Sequence, residues 1–184
     1  MNRRAAIRDL VIIAGGITFL PSCLNKEGKA SVALKNIDIT ADQEKLMAEV
    51  AETIIPQTDT PGAKELGSHL FVLKMLDDCY EKEDQQKFIR GLNELDQCTK
   101  NRYQHSFIQC TVRQREDILM SVENEETFPP NVFDFYKIMK DKTLQGYMTS
   151  RYVVMNIMKY EMIPSVPYNG YYLIKNLNAN GRPS

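Results

Sequence analysis

The stretch TADQEKLMAEVAETIIP, residues 40–56, reads as a helix with both of its ends marked. Thr40 and Gln43 have the spacing of a capping box, in which a hydroxyl and a side-chain amide satisfy each other's backbone N–H groups. Leu46, Val50 and Ile54 follow at intervals of four, which stacks them on one helical face, and Pro56 stops the run because it has no N–H to donate. Similar marks recur downstream. Leu66, Leu70, Val72, Leu73 and Leu76 outline a second helix, and Phe88, Leu92 and Leu95 a third, with Glu83 and Asp84 suited to its first turn. Tyr103, Phe107 and Ile108 mark a fourth. Thr111 and Gln114 repeat the capping box ahead of Ile118, Leu119 and Val122 in a fifth.

Pro129-Pro130-Asn131 restarts the chain, and Val132, Phe133, Tyr136 and Met139 lead through Leu144, Tyr147 and Met148 in a longer sixth helix. A seventh runs from about Thr149 with Val153, Val154, Ile157 and Met158, until Pro164 and Pro167 end regular structure. No strand-like alternation of useful length interrupts these runs. The expectation is an all-α protein, one compact domain of six to seven short helices over residues 39–184. From Pro164 to Ser184 the composition, rich in Pro, Gly, Asn and Tyr, predicts an irregular tail.

Upstream of the helices the chain has a different character. Arg3, Arg4 and Arg8 precede an apolar run from Leu10 to Leu20, and Leu20-Pro21-Ser22-Cys23 closes it with small residues before a cysteine. The run is half the roughly 20 residues that a membrane span needs. Residues 1–22 are therefore expected to be a cleaved export signal, with Cys23 as the lipidated first residue of a protein anchored in the periplasm. The Arg3-Arg4 pair resembles a twin-arginine signal, although Asn2 and Ala6 depart from that pattern, so twin-arginine and general secretory export both stay open. Residues 23–38 are polar and aperiodic, as expected of a flexible tether. Without the signal, 20 Lys plus Arg face 23 Asp plus Glu, a formal charge of −3 that makes nucleic acid a poor partner. In an oxidising compartment Cys79 is expected to pair with Cys98 or Cys110, the bland alternative being three small buried thiols.

Reactive machinery is hard to find. His69 and His105 are thirty-six residues apart, no C-x-x-C or G-x-G-x-x-G unit is present, and no metal-binding or nucleotide-binding spacing occurs. His69 at a helix start suits capping or packing. Asp77 and Asp78, adjacent on a helix, point about 100° apart and read as a solvated face. A self-sufficient enzyme using His69 with Asp77 or Asp78 is the weakest alternative, and a stand-alone lipoprotein binding module is another. The distinctive piece is the loop Ile54-Ile55-Pro56-Gln57-Thr58-Asp59-Thr60-Pro61-Gly62-Ala63-Lys64, where two prolines and a Pro-Gly turn give either a rigid connection or a preformed recognition surface.

That loop resembles a motif of the gluconate 2-dehydrogenase subunit 3 family, and so do His69-Leu70-Phe71-Val72, Asp78-Cys79-Tyr80, Leu144 to Ser150 and Lys159 to Pro164 with the tyrosines after it. The resemblance runs from about Thr40 to Tyr172. It implies a non-catalytic small subunit that assembles, exports and anchors a large FAD-dependent sugar or sugar-acid dehydrogenase of the glucose-methanol-choline type. FAD would sit in the partner, with no cofactor or metal in this chain, and a cytochrome c would be one acceptor in such a complex. Thr58, Asp59, Thr60, Pro61, Gly62, Tyr147, Tyr168 and Tyr171 are the candidate partner interface.

Overall fold

The computed structural model describes residues 28–124 and 128–160. Among them every regular element is a helix: α1 spans Ala41–Ile54, α2 Ser68–Cys79, α3 Lys82–Tyr103, α4 Val112–Glu123 and α5 Pro130–Met148. A 3-10 turn at Phe107–Gln109 links α3 to α4, and a π turn at Val153–Ile157 follows α5. The expected all-α class is what forms. Both capping boxes form as well, with the Gln43 N–H donating to the Thr40 hydroxyl at 3.2 Å and the Gln114 N–H to the Thr111 hydroxyl at 3.4 Å. A third box, Ser106 with Gln109, opens the 3-10 turn.

Two segments differ from their expected form. The fourth apolar group is no separate helix: α3 continues for 22 residues to Tyr103, and Phe107 and Ile108 fall in the 3-10 turn. The buried stripe of α3 runs Phe88, Leu92, Leu95, Thr99, and the Thr99 hydroxyl donates to the Leu95 carbonyl at 2.7 Å. A polar residue thus occupies a core position by satisfying its own hydrogen bond, which hides the helix from a search for apolar spacing. The seventh segment is the π turn, where the Met158 N–H reaches back five residues to the Val153 carbonyl at 2.8 Å. The irregular tail expected from Pro164 lies outside the described residues.

The core gathers on α5, which packs most extensively on α3, then on α2, and also touches α4 and α1. Phe88 of α3 and Phe135 of α5 meet edge to face at 4.8 Å, and the Asn131 amide of α5 bonds the Glu94 carboxylate of α3. As α3 advances from Phe88 to Glu94, α5 runs backwards from Phe135 to Asn131, so the two helices are antiparallel. Gly91 lets them close: a Cβ there would stand 2.5 Å from that of Phe135 and against the Asn131 carbonyl. Leu46, Met47, Val50, Val72, Leu73, Leu76, Ile118 and Met139 complete the same core.

Residues 28–38 do not behave as the expected tether. Ile37 and Ile39 are buried in the core, and Ala30, Val32 and Leu34 pack against it. This strap is fastened chiefly by Asp77, whose carboxylate accepts from the backbone N–H groups of Lys35 at 2.9 Å, Asn36 at 2.6 Å and Ile37 at 3.1 Å. The Asn36 amide returns a bond to the Asp77 carbonyl at 2.8 Å, and Ser31 donates through its N–H and hydroxyl to Glu44 at 2.6 and 2.7 Å. The reason is legible afterwards: Val32, Leu34, Ile37 and Ile39 supply apolar anchors too irregular to register as a period.

Candidate functional site

Loop 55–67 is built on Glu52, in the last turn of α1. Its carboxylate accepts from the Gln57 N–H at 2.9 Å and the Lys64 N–H at 3.1 Å, so one side chain ties both arms of the loop. The Ala63 N–H adds a bond to the Ile55 carbonyl at 2.9 Å, and the Thr58 N–H one to the Thr60 carbonyl at 3.0 Å. Gly62 is required by this clamp, because a Cβ there would lie 2.5 Å from each Glu52 carboxylate oxygen and 2.7 Å from the Gln57 nitrogen. From α5, the Tyr147 hydroxyl donates to the Pro61 carbonyl at 3.1 Å and stands 3.5 Å from the Thr60 hydroxyl oxygen. The loop is thereby held at both its base and its crest.

The expected interface residues separate accordingly. Thr58 and Asp59 are exposed at the tip, with Pro56 and Gln57 beside them, whereas Thr60, Pro61 and Tyr147 are half-buried. Gly62 is buried beneath the Glu52 carboxylate, so it shapes the surface rather than presenting one. Glu52 is the functional residue that sequence reasoning missed. Nothing in its own neighbourhood signals it, and only the closeness of Gly62 to the end of α1 in space reveals the clamp. Cys23, Arg3, Arg4, Tyr168 and Tyr171 lie outside the described residues.

Beside Tyr147 the surface turns apolar. Leu144 and Met148, two of the apolar residues that outline this helix in the sequence, point outward at 43% and 50% exposure. The inward positions of α5 are Val132, Phe135, Tyr136, Met139, Thr143 and Gly146, a continuous stripe that ends on small residues. Gly146 is small because the Phe71 ring of α2 presses on it, a Cβ there falling 2.9 Å from the ring edge. The stripe therefore loses its apolar signature where packing is tightest, and the neighbouring face inherits it. Met155, Ile157, Met158 and Tyr160 in and after the π turn are also more than half exposed, and Val153 alone of that turn is buried. Methionine-rich apolar surfaces adapt their shape to a partner, and interfaces are enriched in methionine and tyrosine.

The alternative acid–base pair does not assemble. His69 and Asp77 are eight positions apart on α2, about 12 Å along its axis. Asp77 is 2% exposed and its carboxylate is committed to the strap, which corrects its reading as a solvated face; Asp78 does sit at the surface, 3.3 Å from Lys74. Burial by itself raises the Asp77 carboxyl, but the three backbone N–H groups and the Lys74 ammonium outweigh it and hold the group below the ordinary carboxylate range. Burial also depresses the His69 imidazole, with Glu44 opposing and Lys64 assisting, and its Nδ1 has no partner. Glu49 gathers Lys64 at 2.5 Å and Arg115, whose guanidinium also donates to the Phe107 and Ile108 carbonyls, so this cluster ties α1 to the 3-10 turn and α4.

The disulfide expected at Cys79 does not form: Cys79 is exposed, Cys98 half-buried and Cys110 buried, each with a free thiol. Cys79 is the last residue of α2, just before α3 begins at Lys82, and Cys98 lies sixteen residues beyond Lys82, about 24 Å along the axis of α3. A bridge needs Cα atoms within about 7 Å. Cys110 follows the 3-10 turn, itself pinned beside Asp96 by the Phe107 N–H, and is out of reach for the same reason. Burial pushes the Cys98 and Cys110 thiols up. Among the described residues no three His, Cys, Asp or Glu side chains stand together as metal ligands, and no helix is long and apolar enough to cross a membrane.

A family model described as gluconate 2-dehydrogenase subunit 3 matches residues 41–165. The chain belongs to that family. The match opens on the first residue of α1 and takes in the clamped loop, all five α-helices and the π turn, so what matches the gluconate 2-dehydrogenase subunit 3 family includes the helical body described above. It bears out the resemblance drawn from the separated motifs. It also leaves the strap outside, although the strap is packed on that body. Being a subunit of this type implies a partner catalytic subunit. No curated protein and no solved structure matches the chain.

Proposed function

We propose that this chain is the non-catalytic small subunit of an FAD-dependent sugar or sugar-acid dehydrogenase of the glucose-methanol-choline type, and that it assembles, exports and moors the large flavoprotein subunit. The observation that carries the reading is a rigid loop next to an apolar, methionine-rich surface at one end of a family-typical helical body. A preorganised loop loses little conformational freedom on docking, and an uncovered apolar surface gains by being covered. FAD belongs to the partner in this reading, since no phosphate-cradling motif occurs in the chain. Cys23 provides the lipid anchor to a bacterial membrane on its periplasmic side, Arg3 and Arg4 belong to the export signal, and a cytochrome c is one acceptor such a complex would use.

The test is co-expression with the adjacent open reading frames, followed by capture through this chain and an absorbance scan of the eluate. Flavin bands in proportion to the captured chain are expected. A chain recovered alone, stable and without flavoprotein, sinks the assignment and favours a solitary binding module. Sugar oxidation by the purified chain by itself would instead make it an enzyme in its own right.

A further inference from the structure

The strap changes what the lipid anchor can do. With residues 28–38 packed on the body, only Leu24 to Glu27 separate Cys23 from Gly28, the first residue of the strap. Five peptide steps reach about 18 Å at most, whereas a tether free as far as Asp38 would reach about 50 Å. Gly28 also has a definite place. Its carbonyl accepts from the Ala41 N–H at 3.3 Å, which puts it at the N-terminal end of α1, while the clamped loop begins at the other end, beyond Ile54. Fourteen helical residues make that separation about 20 Å.

Resting on the lipid-anchor reading above, we infer that the strap end of the body is its lipid-facing end and that the clamped loop is held away from the membrane, roughly one α1 length further out. Asp77 is the positioning residue, because its three backbone bonds convert a long tether into a short one. Lys29 and Lys35 are exposed on the strap with Asp38 and Asp42 exposed at the same end, so the orientation follows from the short reach of the tether and not from charge. The arrangement leaves the loop and the apolar end of α5 clear for a large partner that would otherwise compete with lipid for the same surface.

The experiment uses the full lipidated chain in vesicles of phosphatidylethanolamine and phosphatidylglycerol doped with a headgroup nitroxide quencher. Cys79 and Cys98 are replaced by serine, and one fluorophore is placed at Lys29→Cys or at Asp59→Cys. Quenching at position 29 is expected to exceed that at position 59 several-fold. An insertion of about twelve Gly and Ser residues between Glu27 and Gly28 should bring the two within twofold, since a flexible linker of that length spans the body. Asp77→Ala should shrink the difference in the same direction. Equal quenching at both positions in the vesicle-bound, uninserted chain overturns the inference and leaves the anchor intact. A chain that fails to float with the vesicles, with no acyl mass on Cys23, removes the anchor reading itself and the inference with it.

Discussion

Replacing Asp77 with alanine should release the strap while the helical body stays folded. The carboxylate serves three backbone N–H groups at 2.6 to 3.1 Å, and hydrogen bonds to a charged group are worth about 1.5–3 kcal/mol each. Their simple sum overshoots, because Lys35 and Asn36 are exposed and their amides regain water once the strap lifts. The ceiling is set by what the strap contributes as a unit. Ile37 and Ile39 bury about 1.5–3 kcal/mol of apolar side chain apiece. A loss of about 2–4 kcal/mol is therefore expected for Asp77→Ala, and about half for Asp77→Asn, whose amide oxygen still accepts. Urea unfolding reads the first quantity, and hydrogen exchange at Lys35, Asn36 and Ile37 shows whether the loss is local. The pH dependence has a definite sign. A carboxyl held below its ordinary value contributes stability that is fully present above about pH 4 and is lost as pH falls through the depressed value. The gap between wild type and Asp77→Asn should thus be constant near neutrality and narrow below about pH 4. Unchanged exchange at residues 35–37, together with a loss under about 0.5 kcal/mol, would refute the reasoning, since only a carboxylate idle in the native state fits such a result.

Gly62→Ala should strain the clamp, because the new methyl meets both Glu52 oxygens at 2.5 Å; a cost of about 1–3 kcal/mol and faster exchange at Gln57 and Lys64 are expected, with Glu52→Ala loosening the same two amides. Gly91→Ala should be worse, about 3 kcal/mol or more, since the obstacles are the Asn131 carbonyl and the Phe135 Cβ rather than the end of a flexible side chain; a change below 1 kcal/mol in thermal unfolding would mean that α3 and α5 are further apart than described. Thiol titration should find Cys79 reacting quickly and Cys110 slowly in the native protein, with all three of Cys79, Cys98 and Cys110 reactive in denaturant without reductant; two missing thiols would restore the disulfide.

Much of the fold was legible because its signals are local. A capping box needs only Thr40 and Gln43, and an apolar face needs only Leu46, Val50 and Ile54, all within a few turns of one another. Pro56 and Pro129-Pro130 punctuate the chain wherever they occur, and the loop between α1 and α2 stood out by its prolines alone. Family membership was legible for a similar reason, as short motifs in a fixed order. What failed did so where a residue's role depends on something distant. Asp77 resembles any helix-surface carboxylate until a strap forty residues upstream turns three amides toward it. Leu144 and Met148 carry the apolar signature, yet Gly146 and Thr143 face the core, because Phe71 leaves no room for anything larger.

The sequence by itself determined the helical class, the helix starts and the motif order that places the chain in its family. These depend on backbone chemistry and on periodicity within ten residues or so. Only the tertiary structure decided that residues 28–38 belong to the body, that Glu52 ties the loop, that Gly62 lies under it, that the three thiols stand apart, and which face of α5 is left uncovered. Each of those is a matter of which groups meet across the core, and in a close-packed interior that follows from the volumes of partners far away in the chain.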